Sequence, residues 1–105
     1  MAWTYILNCA DGSLYVGSTR DLDRRFSEHQ LGFGAAYTRR RRPVRLAWAA
    51  EFERVADAFY YEKQIQNWSR GKRDALIAGD FALLSELARG REGWMRVGVR
   101  ELGQD

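Results

Sequence analysis

Apolar and polar positions change rhythm along the chain. Residues 3–9 and 13–18 are rich in Trp, Tyr, Ile, Leu and Val and flank Asp11-Gly12, which predicts a β-hairpin. From residue 21 the spacing becomes helical: Leu22, Arg25, Phe26 and His29 fall at i, i+3, i+4 and i+7, Thr19 or Asp21 can cap the start, and Gly32 can end it. Residues 32–43, GFGAAYTRRRRP, mix glycines, arginines and the single proline, a composition that predicts an exposed loop with locally mobile backbone. Val44, Leu46 and Trp48 then alternate, predicting a third strand over 44–53. A helical stripe of Val55, Ala58, Phe59, Glu62 and Ile65 follows. Further helices are predicted at 69–78, capped by Ser69, and at 80–88, capped by Asp80, with Gly90 as a stop.

Strands and helices in this order make an α+β domain. A chain of 105 residues, 46% of them hydrophobic, suits one core, so residues 1–88 are read as one domain and 89–105 as a weakly periodic, loosely ordered tail. Cys9 stands alone in a strand, which excludes a disulfide framework and points to a reduced, intracellular setting. No apolar run approaches the ~18 residues of a membrane span, and the expectation is a cytoplasmic protein.

Charge adds a candidate partner. Seventeen Lys and Arg against fourteen Asp and Glu leave only +3, but Arg39, Arg40, Arg41 and Arg42 with Arg45 form one basic block, and Arg70, Lys72 and Arg73 form another. Such blocks suit a phosphate backbone, and they suit a solvated surface equally well.

Three polar residues share apolar stripes. Arg25 can snorkel away from its stripe, and His29 fits a satisfied core position. Glu62, between Ala58, Phe59 and Ile65, is costlier: an unpartnered polar group there loses of order 2 to 7 kcal/mol, so it demands a cation such as Arg25, a metal or a cleft. Tyr5 and Tyr15 are ordinary strand residues unless both point the same way. A two-residue loop at Asp11-Gly12 sets Asn8 opposite Tyr15 and puts the two rings on opposite faces. A three-residue loop, Ala10-Asp11-Gly12 with Gly12 left-handed, sets Leu7 opposite Tyr15 and puts them on one.

The arrangement of TYIL, YVG ten residues after the first tyrosine, an arginine ten residues after Tyr15, a histidine four further on, and YYEKQIQNWSR resembles the GIY-YIG nuclease superfamily. It is most similar to the small stand-alone members described as URI-domain proteins, over residues 3 to about 78. The resemblance implies a three-stranded antiparallel sheet flanked by helices and a metal-dependent phosphodiesterase site acting on nucleic acid, DNA before RNA. Matched by position, it implies Tyr5, Tyr15, Arg25, His29 and Glu62 as catalytic residues, Gly17 as the tight-turn glycine, and Glu62 as ligand of Mg²⁺, or alternatively Mn²⁺. Here the first triplet reads Trp3-Thr4-Tyr5, without the glycine and isoleucine of the motif. Arg25 would grip a phosphate oxygen, and Tyr5 would serve as base if a cation stabilised its phenolate. Tyr37 would stack on a base while Arg39, Arg40, Arg41, Arg42, Arg70, Lys72 and Arg73 contact phosphates. A binding module that cleaves little, and an ordinary core protein in which Arg25 pairs Glu62, are the competing expectations.

Overall fold

A computed structural model describes residues 1–80 and the backbone of 100–101. The helix expected at 80–88 and most of the tail expected at 89–105 lie outside these residues.

Strands β1 (Ala2–Asn8) and β2 (Leu14–Thr19) form the hairpin, and β1 also pairs antiparallel with β3 (Arg45–Phe52). A two-residue strand, β4 (Arg100–Glu101), adds to the far side of β3, giving the order β2-β1-β3-β4 and leaving β2 at an edge. This short strand falls within the expected tail.

The hairpin closes through the longer of the two loops. Cys9 N–H donates to Ser13 O at 2.9 Å, Gly12 N–H donates to Cys9 O at 2.9 Å, and Gly12 is left-handed at φ 86°. Leu7 therefore faces Tyr15 and Tyr5 faces Gly17. Both tyrosines lie on one side of the sheet.

Helix α1 (Leu22–Leu31) covers that side, with Asp21 as its cap and Gly32 left-handed at its end. Tyr5, Leu7, Cys9, Leu22, Val44 and Ala49 form the core beneath it. Helices α3 (Val55–Gln66) and α4 (Arg70–Ala78) cover the other side, over a larger core that includes Ile6, Val16, Trp48 and Phe52. The sheet is thus the middle of three layers. Thr4 Oγ1 donates to Ala58 O at 2.7 Å and pins α3 to the central strand.

Two expectations need correction. The inward stripe of α3 is Ala58, Tyr61 and Ile65, while Val55 and Phe59 are exposed. Tyr61 takes the inward place, its ring lying flat on Phe52 with centroids 5.3 Å apart. The segment 32–43 is also more ordered than its composition predicts. Residues Ala36–Arg39 form a helical turn, α2, and Thr38 within it is wholly buried.

The glycines of the hairpin and of α4 give opposite expectations for one substitution. Neither Gly12 nor Gly71 has a neighbour within 4 Å of an added Cβ, so only backbone conformation decides. Gly12→Ala, at positive φ, should destabilise by about 1 kcal/mol, whereas Gly71→Ala on the exposed side of a helix should stabilise by up to about 1 kcal/mol. Paired urea denaturation curves measure both signs.

Candidate active site

The hairpin aims Tyr5 across β2. Its hydroxyl passes over Gly17, where a Cβ would lie 2.5 Å from Tyr5 Oη, so only glycine leaves room. Tyr15 packs beside it, ring centroids 6.5 Å apart, and is partly exposed where Tyr5 is buried. Burial pushes the Tyr5 phenol up to about 12, against the opposing pull of Arg25. Burial also raises Tyr15. Tyr5 is thus a neutral phenol, and the phenolate that the resemblance would require is not its resting state.

His29, the only histidine, occupies the last turn of α1 with no exposed surface. Its Nε2 lies 2.9 Å from Tyr5 Oη and its Nδ1 lies 2.7 Å from Thr38 Oγ1. A Cβ on Gly34 would sit 2.3 Å from His29 Nδ1, so the bare backbone of that glycine makes the ring's slot. Burial, reinforced by the Arg25 charge, lowers His29 from 6.5 to about 4. The imidazole is neutral and able to accept a proton.

Arg25 stands one turn before His29 and donates to Glu28 Oε1 at 3.0 Å. Glu28 steadies the guanidinium, raising its pKa further. Arg25 also borders a cleft of about 390 Å³ lined by Thr19, Arg20, Asp21, Arg24, Arg25 and Glu28. The cleft opens beside the tyrosines rather than around them.

Glu62 approaches from the opposite layer. Its carboxylate accepts from Ser18 Oγ at 2.5 Å and from Gln66 Nε2 at 2.9 Å, and Gln66 also donates to Val16 O of the edge strand. Lys63 Nζ is 3.5 Å away. The Arg25–Glu62 ion pair of the ordinary-core expectation is not formed, since Arg25 pairs with Glu28. Glu62 nonetheless lies near enough for its charge to raise both Tyr5 and Tyr15. Glu62 thus lies on the α3 side of β2, bonded to Ser18 next to Gly17, while the phenols lie on the α1 side.

Comparison with known proteins decides the family. Residues 1–74 match the model of the GIY-YIG catalytic domain. The chain belongs to the GIY-YIG family. It is 47% identical over 73 residues to a UPF0213 protein of Bacillus pumilus, covering 70% of this chain and 74% of that protein. It is 41% identical over 78 residues to UPF0213 protein NP_0776A of Natronomonas pharaonis, covering 74% and 92%. The solution NMR structure of the UPF0213 protein BH0048 from Bacillus halodurans superposes with a TM-score of 0.50 at 42% identity, over 74% of this chain and 84% of that one.

The basic blocks of this GIY-YIG domain are largely engaged within the fold. Arg41 donates to Asp11 Oδ2 and Tyr37 O, both at 2.9 Å, and lies 3.8 Å over the Tyr37 ring, which itself stacks on Tyr15. Arg42 donates to Arg39 O and Gln30 O. Arg70 reaches Gly12 O, Arg73 donates to Ile65 O and Gln66 O at the end of α3, and Lys72 is buried over Trp68. Arg39 and Arg40 are exposed and have side chains directed to no partner among the described residues.

Sequence reasoning missed Thr38, Gly34, Ser18 and Glu28. Only Glu28 carried a local signal, sitting three residues after Arg25 on one helix face. The others act through contacts that spacing along the chain does not encode.

The His29 shift implies a pH dependence of folding. An unfolded imidazole takes its proton near 6.5 and the folded one near 4, so between these values the unfolded state binds more protons. Stability should fall by about 3 kcal/mol as pH drops from about 7 through 4, levelling off below about pH 3. Urea midpoints across that window should show the slope, and His29→Gln should remove its share.

Proposed function

We propose that the chain is a divalent-metal-dependent endonuclease that hydrolyses phosphodiester bonds of DNA with weak sequence specificity. The observation that carries this reading is the Tyr5–His29 hydrogen bond over Gly17, with the Arg25 and Glu62 charges within electrostatic reach of the phenol. Phosphodiester hydrolysis needs a proton acceptor for water, a cation for the anionic transition state and assistance to the leaving oxygen. Tyr5 and neutral His29 supply the first and Arg25 the second.

The donor set fits a magnesium ion held by one residue. Glu62 is a single carboxylate beside a hydroxyl, and no group of three or more His, Cys, Asp or Glu able to hold a metal occurs among the described residues. Such a site suits Mg²⁺, which keeps several waters and shares substrate phosphate oxygens. When bound, the ion would stabilise charge on the phosphate and the leaving oxygen. Ser18 and Gln66 aim the carboxylate toward β2. Arg25, held by Glu28 and within hydrogen-bonding reach of the tyrosine hydroxyls, would turn an N–H group to a non-bridging phosphate oxygen. Tyr15 packs against both rings of the Tyr5–His29 pair. Exposed Arg39 and Arg40 would contact phosphates along the strand, which lends affinity without sequence readout.

A second reading, a binding module with little catalysis, draws on the two hydrogen bonds that already occupy Glu62. Single-stranded, branched and duplex DNA and RNA incubated with Mg²⁺ or Mn²⁺ separate the two. Glu62→Ala and Arg25→Ala should each reduce cleavage by on the order of 100-fold. Cleavage unchanged in both variants would overturn the nuclease reading. Binding that weakens steeply with salt and never leads to cleavage would support the module.

A further inference from the structure

The hydrogen bonds behind Tyr5 have a direction, and its source lies outside the motif residues. Thr38 has one hydroxyl proton and two polar neighbours, Ala35 O at 3.0 Å and His29 Nδ1 at 2.7 Å. A carbonyl can only accept, so a proton given to Ala35 leaves Thr38 Oγ1 to accept from His29 Nδ1–H. His29 Nε2 then carries a lone pair and takes the Tyr5 proton. Every donor in the chain has an acceptor.

The opposite direction fails at its inner end. Were Thr38 to donate to His29 Nδ1, Thr38 Oγ1 and Ala35 O would face each other 3.0 Å apart as two acceptors with no proton between them. Such a pair repels, so the Thr38 end selects the Nδ1–H tautomer.

We propose that Thr38 is a positioning residue that locks His29 as its Nδ1–H tautomer and so turns the oxygen lone pairs of Tyr5 outward, toward an incoming water. This deepens the nuclease reading and rests on it for its catalytic consequence. In the reaction, water gives a proton to Tyr5 Oη as the original phenol proton moves to the lone pair of His29 Nε2. The hydroxide oxygen bonds to phosphorus, the bond to the leaving oxygen breaks, and that oxygen takes a proton from solvent. Imidazolium then returns its proton through Tyr5 to solvent, and the net change is addition of water across the P–O bond. The anionic phosphodiester beside Arg25 offsets the charge that disfavours imidazolium. With the other tautomer the phenol would present a proton to water, and no transfer could begin.

One histidine in the chain makes the test direct. In ¹⁵N-labelled protein, long-range ¹H–¹⁵N correlation should show His29 Nδ1 as the protonated, pyrrole-like nitrogen and Nε2 as the pyridine-like one. Thr38→Ser should preserve this pattern and cleavage within a few-fold. Thr38→Val, which cannot accept from Nδ1–H, should shift the population toward the Nε2–H tautomer and lower kcat by on the order of 100-fold with little change in KM. A wild-type spectrum with Nε2 protonated overturns the proposal, even if Thr38→Val does not fold. So does a folded Thr38→Val variant that keeps the wild-type pattern. The expected spectra from a protein that cleaves no nucleic acid would uphold the tautomer lock and defeat the nuclease reading alone.

Discussion

A strand sends successive side chains to opposite faces, so one residue more or less in a hairpin loop decides which groups can meet. Here the deciding residue is Gly12. Its left-handed backbone admits a third loop residue, sets Tyr5 opposite Gly17 and Tyr15 opposite Leu7, and brings both rings under α1. With the shorter loop Tyr15 would face α3 and α4, and the environment that keeps Tyr5 and His29 neutral would lose one wall. Burial, hydrogen bonding and charge at the site all follow from that register.

The site also shows how a small domain can hold polar groups in its interior. Tyr5, His29 and Thr38 are each almost fully buried, and each would be costly alone. Linked in series they satisfy one another, ending on a backbone carbonyl. Two glycines make this possible by absence: Gly17 clears the path of the phenol, and Gly34 clears the slot of the imidazole. Satisfied buried networks specify a unique arrangement, and here it links β1 to α1 and α2.

Much of this was legible in the residue order. Hairpin, first helix, third strand, α3 and α4 were readable from periodicity and caps because each is a local signal, as with Asp21, Gly32 and Ser69. The loop register was legible only as two alternatives, since Asp11-Gly12 serves either turn. The inward face of α3 was misread because Tyr61, with a polar tip, buries its ring while Phe59 does not. Composition suggested a loose loop at 32–43, yet Thr38 is bonded to a residue nine positions earlier, a tertiary contact that no local pattern carries. The arginines were legible as charge but not as donors to carbonyls within the fold, as Arg41, Arg42 and Arg73 are.

The position of Glu62 has a consequence for assembly. Phenol and carboxylate come from opposite layers on either side of β2, the strand at the rim of the sheet. Gln66, by occupying Val16 O, blunts the rim against pairing with another chain. A sheet of this kind can lengthen beyond β3, where Arg100–Glu101 already pairs, more readily than beyond β2. Self-association by strand addition at that rim would have to displace the Gln66 side chain, and with it one of the two hydrogen bonds that hold Glu62.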